Sequence, residues 1–256
     1  MKIKLDVTKS LEKNAEVYFE KSKKAKKKLE GAQEALDKSY SKLEKLKEEK
    51  TEKEKKVKEK VERKKEWYEK FRWFHSSEGF LVVGGRDATS NEIVVKKHTD
   101  KDDLVFHAEM AGSPFFILKS EGKKIGEKTI QEVAEATASY SRAWKTGLAN
   151  TDVFYVNPEQ VTKEAKAGEF IARGAFMVYG KKNVLTAECR MAIGIKDGQI
   201  IGGPVDSIKA QTKDFVMVIQ GNQKASDTAR KIKAKLKGGE IDDIIRMLPT
   251  GGCKLA

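Results

Sequence analysis

Residues 79–120 read GFLVVGGRDATSNEIVVKKHTDKDDLVFHAEMAGSPFFILKS. The apolar run Phe80–Val83 stops at Gly84-Gly85, which predicts a strand entering a turn, because paired glycines tolerate positive φ. Two more apolar segments, Leu104–Phe106 and Phe115–Leu118, bracket Gly112-Ser113-Pro114 and predict two strands joined by a turn. The residues between Asp87 and Leu104 fit either a helix or a strand. Polar side chains then gather where these elements end: Arg86, Asp87, Asn91, Lys96, Lys97, His98, His107, Glu109 and Lys119. Element ends are where binding sites are built.

The charge balance gives that gathering a direction. The chain has 256 residues, 36% of them charged, and a formal net charge of +13, a balance suited to a polyanionic partner. Residues 1–66 hold 23 Lys+Arg against 15 Asp+Glu, and the rest hold 29 against 24. Cys189 and Cys253 are far apart, and His75, His98 and His107 have no ligand spacing with them, so neither a metal site nor a disulfide framework nor any other cofactor is expected. With no long apolar segment and no export signal, the chain is expected to be cytoplasmic and to have no membrane partner. Lys254-Leu255-Ala256 reads as a cloning remnant and is left out of the expected fold.

Outward from the central stretch, the N-terminal quarter reads as helix. Thr8 is a candidate cap, and alternating steps of four and three pick out Leu11, Ala15, Tyr18, Ser22, Ala25, Leu29, Ala32, Leu36, Ser39, Leu43 and Leu46. Nine of these eleven are apolar, a coiled-coil seam that fails at Lys50 and Lys53 and is not resumed in phase by Val57 and Val61. Thr51 and Glu54 have capping-box form, so a second helix is expected to return antiparallel from about residue 52. The alternative is one unbroken helix that dimerises, since no glycine or proline marks a turn. The lysines at 23–24 and 26–28 could lie along RNA phosphates, but such runs more often form a solvated helix face, and a solvated face is expected. Trp67, Phe71 and Phe74 at helical spacing are expected to dock a last helical turn on the following domain.

Towards the C-terminus, residues 130–144 read as one helix ended by Gly147, with Arg142 and Lys145 near its close. Short strands follow at 153–156 and 176–179, the second leading into Lys181-Lys182. Lys196-Asp197-Gly198 signals a hairpin, residues 215–220 a strand, and 226–236 and 241–248 two closing helices. The tail strands can extend the first sheet or form a small add-on of their own, and extension is expected, because hairpins that short rarely stand alone. The fold class is α+β: an antiparallel helical coiled-coil arm, residues 1–70; a compact domain with a mainly antiparallel sheet and packed helices, 71–190; a strand-helix extension, 191–253; and the remnant, 254–256.

No nucleophile arrives with a legible base: GxSxG, GxGxxG and phosphate-loop lysine motifs are absent. Asp87 and His107 are conceivable as an acid and base, but a lone Asp and a lone His twenty residues apart suit a binding domain better, and the chain is read as non-enzymatic. The candidate polyanion site is Arg86, Lys96, Lys97, Lys119, Arg142, Lys145, Lys181 and Lys182, with Asp87, Asn91 and His107 beside them. These cations are expected to converge on one face around the glycine turns, where phosphates approach the backbone and arginine binds them bidentately.

The motifs GGRD, Asn91-Glu92 before an apolar pair and Lys96, His107-Ala108 and the Gly-Ser-Pro turn resemble the NFACT-R domain of the NFACT family. WYEKFRWFHSSEGFLVVGGRD (67–87) is similar to that family's helix-to-domain junction. ASYSRAWKTG and VNPEQVTKEAKAGEFIARGAFMVYGKKN (156–183) resemble its archaeal and eukaryotic branch. The resemblance implies a coiled-coil middle region followed by an RNA-binding domain. It further implies a fragment of a factor for ribosome quality control and rescue of stalled ribosomes, binding the large-subunit rRNA and tRNA and supporting C-terminal tailing of stalled nascent chains. In the family a separate N-terminal module engages the tailing tRNA, so this fragment is expected to bind RNA without supporting tailing alone. The alternative is a coiled-coil module that recruits a protein partner, or pairs with itself through the arm, without touching RNA.

Overall fold

The computed structural model describes residues 3–59, 65–164 and 171–256. These fall into two compact units, Met1–Lys65 and Glu66–Ala256.

The first unit is one helix, α1 (Leu11–Glu59), preceded by a short folded lead. The expected turn near Thr51 is instead helical, which corrects the hairpin. Glu and Lys dominate residues 47–59, and both are strong helix formers, so without a breaker Thr51 and Glu54 continue the helix. Val61 lies outside the described residues. The cap is also displaced: Ser10 Oγ accepts the Lys13 amide at 3.3 Å, while the Thr8 hydroxyl donates to Asp6 at 2.6 Å. Asn14, buried where the rest of Leu11–Glu44 is exposed, donates to the Asp6, Lys9 and Ser10 carbonyls and accepts from the Asp6 amide. Tyr18 Oη donates to the Lys4 carbonyl at 2.6 Å. These bonds lay the lead along the first two turns.

The second unit begins with a 3-10 turn at Trp67–Lys70 and the hairpin β1 (Arg72–His75) and β2 (Leu81–Gly84). The expected aromatic helix at 67–74 is thus a single 3-10 turn followed by strand from Arg72. Bulky aromatics favour a pleated surface, and alternation sends Trp73 and Phe74 into different cores. Next come α2 (Ala88–Lys97), β3 (Leu104–Ala108) and β4 (Phe116–Leu118). The single helix expected at 130–144 is two, α3 (Glu127–Ser139) and α4 (Arg142–Thr146), because the Ser141 hydroxyl accepts the Ala143 amide at 3.1 Å and starts a new helix. Gly147 closes α4 at φ +78°, as expected. Then follow β5 (Asn150–Val156), the short pair β6 (Val161–Thr162) and β7 (Met177–Val178), and β8 (Asn183–Glu188).

Strands β1, β2, β4, β3, β5 and β8, in that spatial order, form an antiparallel six-stranded sheet. One face, with Val83, Val105, Ile117 and Phe154, packs on Val94 of α2. The other, with Val82, Phe106, Phe116 and Val153, packs on Val133, Ala134 and Ala138 of α3. Helix α3 is buried around most of its circumference, since Thr129, Glu132, Glu135, Thr137 and Ser139 are buried as well.

The tail does not extend that sheet. β9 (Met191–Lys196), β10 (Gln199–Gly203), β11 (Phe215–Gln223) and β12 (Cys253–Leu255) make a second four-stranded sheet, ordered β10-β9-β11-β12, with α5 (Val205–Gln211), α6 (Ala225–Leu236) and α7 (Ile241–Met247). β9 and β10 turn at Asp197-Gly198, both at positive φ, the two-residue hairpin foreseen from sequence. Met191, Ile193 and Val218 of the second sheet share a core with Phe106 and Phe116 of the first. A shared core supports the second sheet, so its strands need no place in the first. Residues 254–255 are not a remnant in the fold: Leu255 pairs with Val218 and Cys253 is fully buried.

Candidate nucleic-acid interface

The glycine turn was expected to admit a phosphate. Its glycines instead admit protein: a side chain on Gly84 would strike the Phe116 ring, and one on Gly85 would strike the Asn91 amide. That amide is fixed, since Asn91 Oδ1 accepts the Phe115 amide at 3.2 Å while the Gly85 amide donates to the Phe115 carbonyl at 3.1 Å. Asp87 caps α2, accepting the Ser90 amide at 2.8 Å, and hydrogen bonds from Ser90 hold its carboxyl below the usual carboxylate range. Arg86 donates to the Arg246 carbonyl at 3.0 Å, and burial, then the nearby Arg246 charge, lowers its pKa. Tyr140 Oη donates to the Met247 carbonyl at 2.6 Å, and Arg72 donates to the Leu248 carbonyl at 3.5 Å while its guanidinium lies 3.9 Å over the Tyr140 ring. Three donors from the first sheet and α3's end thus satisfy the carbonyls at the close of α7, which a helix leaves without intrahelical partners.

Other sequence candidates are likewise engaged. His107 packs 4.3 Å from Phe115 and 5.8 Å from Phe154, ring centre to ring centre, and burial pushes its pKa down to about 4. The imidazole is therefore neutral near pH 7. Lys119 bonds Asp103, Asp100 at 2.6 Å and the His98 carbonyl at 3.0 Å. Burial opposes its charge, but the two carboxylates outweigh that and raise its pKa. Lys96 pairs with Glu92 at 2.8 Å. Lys182 pairs with Glu109 at 3.1 Å and lies 4.3 Å over the Phe154 ring. Among the described residues, the candidates whose charged groups have no hydrogen-bonded or ion-pair partner are Lys97, Arg142, Lys145 and Lys181.

The single convergent face is also corrected. Arg86 follows the end of β2 at Gly84, which pairs with Phe116 at the start of β4, and Arg142 Cβ lies 3.8 Å from where a side chain on Gly112 would begin. Both belong to the sheet end where β3 stops and β5 starts. Lys119 follows β4, and Lys181 and Lys182 precede β8, so these three sit at the opposite end. Antiparallel pairing sends successive strand ends to alternate edges, which separates these backbone positions, although the Lys182 side chain reaches back across Phe154 to Glu109, which follows β3.

At that second end an open cleft of about 510 Å³ is lined by Tyr155, Lys181, Lys182 and Asn183 together with Glu127 and Gln131. Tyr155 stacks on Phe106 at 5.3 Å. β8 is an edge strand, and its Val184 is 56% exposed. Among the described residues there is no group of three His, Cys, Asp or Glu that would hold a metal, and no helix is long and apolar enough to cross a membrane. Sequence reasoning also passed over the basic side chains of α6. The legible signal there was the run of lysines around Ala229 and Ile232, the buried positions of an amphipathic helix.

Residues 70–180 match the NFACT protein RNA-binding domain. The chain is 39% identical over 197 residues to an archaeal Rqc2 homolog, aRqcH, of Methanocaldococcus jannaschii, covering 74% of this chain and 29% of that protein. It is 42% identical over 130 residues to the ribosome quality control complex subunit NEMF homolog of Drosophila melanogaster, covering 50% and 13%. To the human subunit NEMF it is 36% identical over 174 residues, covering 67% and 16%. The chain therefore spans less than a third of each of these relatives.

Proposed function

Because the chain belongs to the NFACT family, in its archaeal and eukaryotic branch, we propose that it binds RNA in ribosome quality control. The RNA is that of the large ribosomal subunit together with tRNA, in the cytoplasm, and within a whole factor such binding supports C-terminal tailing of stalled nascent chains, which this chain does not carry out alone. The observation that carries this reading is the match of residues 70–180 to an RNA-binding domain. Lys181 at the open cleft and Arg142 and Lys145 on α4 supply unpaired charge for it. An A-form helix offers mainly phosphates and 2′-hydroxyls, so base specificity is low. Binding of the full chain to large-subunit rRNA and tRNA should weaken steeply with salt, by a log–log slope of roughly 0.7 to 0.9 per phosphate contact. No binding to either RNA at low salt would falsify the reading.

The exposed apolar positions of α1 favour a second role. Leu29, Leu36 and Leu43 are 71%, 50% and 48% exposed on a seam suited to a partner helix. In this reading α1 recruits a partner or pairs with itself. Sedimentation of the full chain before and after Leu29→Lys and Leu36→Lys tests pairing with itself: a species heavier than monomer should revert to monomer.

A further inference from the structure

The positive charge of the second unit is concentrated. Three segments, 142–148, 220–237 and 249–256, hold nine of the 29 Lys+Arg of residues 67–256 and one of their 24 Asp+Glu. The other residues of that span hold 20 against 23. The surplus cations of this unit therefore lie in three stretches that are remote in sequence.

The fold sews these stretches together. Trp144 Nε1 donates to the Gly252 carbonyl at 3.1 Å, Gln220 Nε2 donates to the Leu148 carbonyl at 2.6 Å, and the Gly221 amide donates to the Gly252 carbonyl at 3.1 Å. Thr228 of α6 donates to the Cys253 carbonyl at 3.1 Å. Glycine is needed at this seam. A side chain on Gly251, at φ +134°, would meet Lys145 Cα at 3.3 Å, and one on Gly221 would meet Lys254 Cβ at 2.9 Å. The register of β11 against β12 shifts between Gln220 and Gln223 at the same place. Lys145, Lys254 and Lys224 thus border one seam. Lys231 joins them by its 3.0 Å bond to Gln223 Oε1, and Lys235 by its position one turn further along the same side of α6 as Lys224 and Lys231.

All five are exposed. The sole acid of the three segments, Asp227, is paired with Arg230 at 2.9 Å. Among the described residues, the ammonium groups of Lys145, Lys224, Lys235 and Lys254 have no hydrogen-bonded or ion-pair partner. The seam itself offers amides, from Gln220, Asn222 and Gln223. Leu148 is its one large exposed apolar side chain in these segments, whereas a protein partner is normally anchored by a cluster of aromatic or apolar residues.

We propose that this seam between α4, the end of β11 and α6 is a second RNA-binding surface, which holds the phosphate backbone of an RNA helix. It rests on the RNA-binding reading above, but most of it lies outside residues 70–180. It is also separate from the Lys181 cleft: Asn183 pairs with Tyr155, five residues along β5 from Asn150, about 17 Å at ~3.3 Å per residue.

The test uses the full chain with Lys145, Lys224, Lys235 and Lys254 changed to Ala, and a charge-matched control with Lys101, Lys124, Lys196 and Lys209 changed to Ala. Affinity for large-subunit rRNA and tRNA is measured across a salt series, with circular dichroism to establish folding. The seam variant should lose about tenfold or more in affinity, and its log–log salt slope should fall by about 3 as four phosphate contacts disappear. The control should bind as the parent does. Equal losses in both variants, or none in the seam variant while Lys181→Ala weakens binding, overturn the seam and leave the RNA reading standing. Absence of parent binding at low salt removes both. Parent binding to polyglutamate or to phosphatidylserine vesicles as tight as to RNA, lost in the seam variant, overturns RNA as its ligand. Should the seam variant misfold, crosslinking of 4-thiouridine RNA to the parent decides the matter: adducts within 220–237 support the proposal, and adducts confined elsewhere refute it.

Discussion

Asn91 illustrates how a residue that looks exposed in sequence becomes structural. Its carbonyl takes the Phe115 amide and leaves no room for a side chain on Gly85. Asn91→Ala should therefore lower stability by about 1 to 3 kcal/mol, since a partly buried N–H loses its acceptor; chemical denaturation reads this, and an unchanged midpoint would count against the bond. His107 makes a pH argument of the same kind. Its folded pKa of about 4 lies below the ordinary 6.5, so the unfolded chain binds the extra proton first as pH falls. Stability is fully present above pH 6.5 and is lost progressively down to about pH 4, by about 3 kcal/mol at most. His107→Phe keeps the packing on Phe115 and should flatten this pH dependence; an unaltered profile between pH 7 and 4.5 would assign it to other groups.

Elements were legible wherever a local pattern and its surroundings agreed. The strand runs at 80–83, 104–106 and 115–118, the Asp197-Gly198 hairpin and the Gly147 stop all needed only neighbouring residues, and all reappear. The misreadings arose where distant packing decided or where one local signal outweighed another. At 67–74 the period of the aromatics suited a helix, yet hairpin pairing with β2 claimed Arg72–His75. At Thr51 capping-box residues stood inside a sequence with no reason to stop. For the candidate site, residue types were readable but their destinations were not. Arg86, Lys96 and Lys119 carry the right charge, but α7 carbonyls, Glu92 and the Asp100–Asp103 pair claim it. Within α1, Gly31 has nothing within 4 Å of where a side chain would stand. Gly31→Ala should then raise the thermal midpoint of the helical signal at 222 nm, worth about 1 kcal/mol. A lowered midpoint would reveal a close neighbour at that position.

At the scale of the whole second unit, the closing strand is part of the core. Cys253 is fully buried and its thiol is pushed up in pKa by burial, while Leu255 pairs with Val218. Removing residues 253–256 should lower stability by roughly 2 kcal/mol or more, as filled core space becomes a void. A shortened chain with the parent's denaturation midpoint would return these residues to the status of an appendage.

Where α7 ends, Arg72, Arg86 and Tyr140 reach across from the other sheet to take its last carbonyls. Freeing one sheet would break these bonds and expose the core that both sheets share, so partial opening is costly in either half. The two sheets should accordingly melt in a single calorimetric endotherm, and amide hydrogens of α7 should exchange as slowly as those of β4. A load applied to one sheet is then borne by both, as by a rigid clamp.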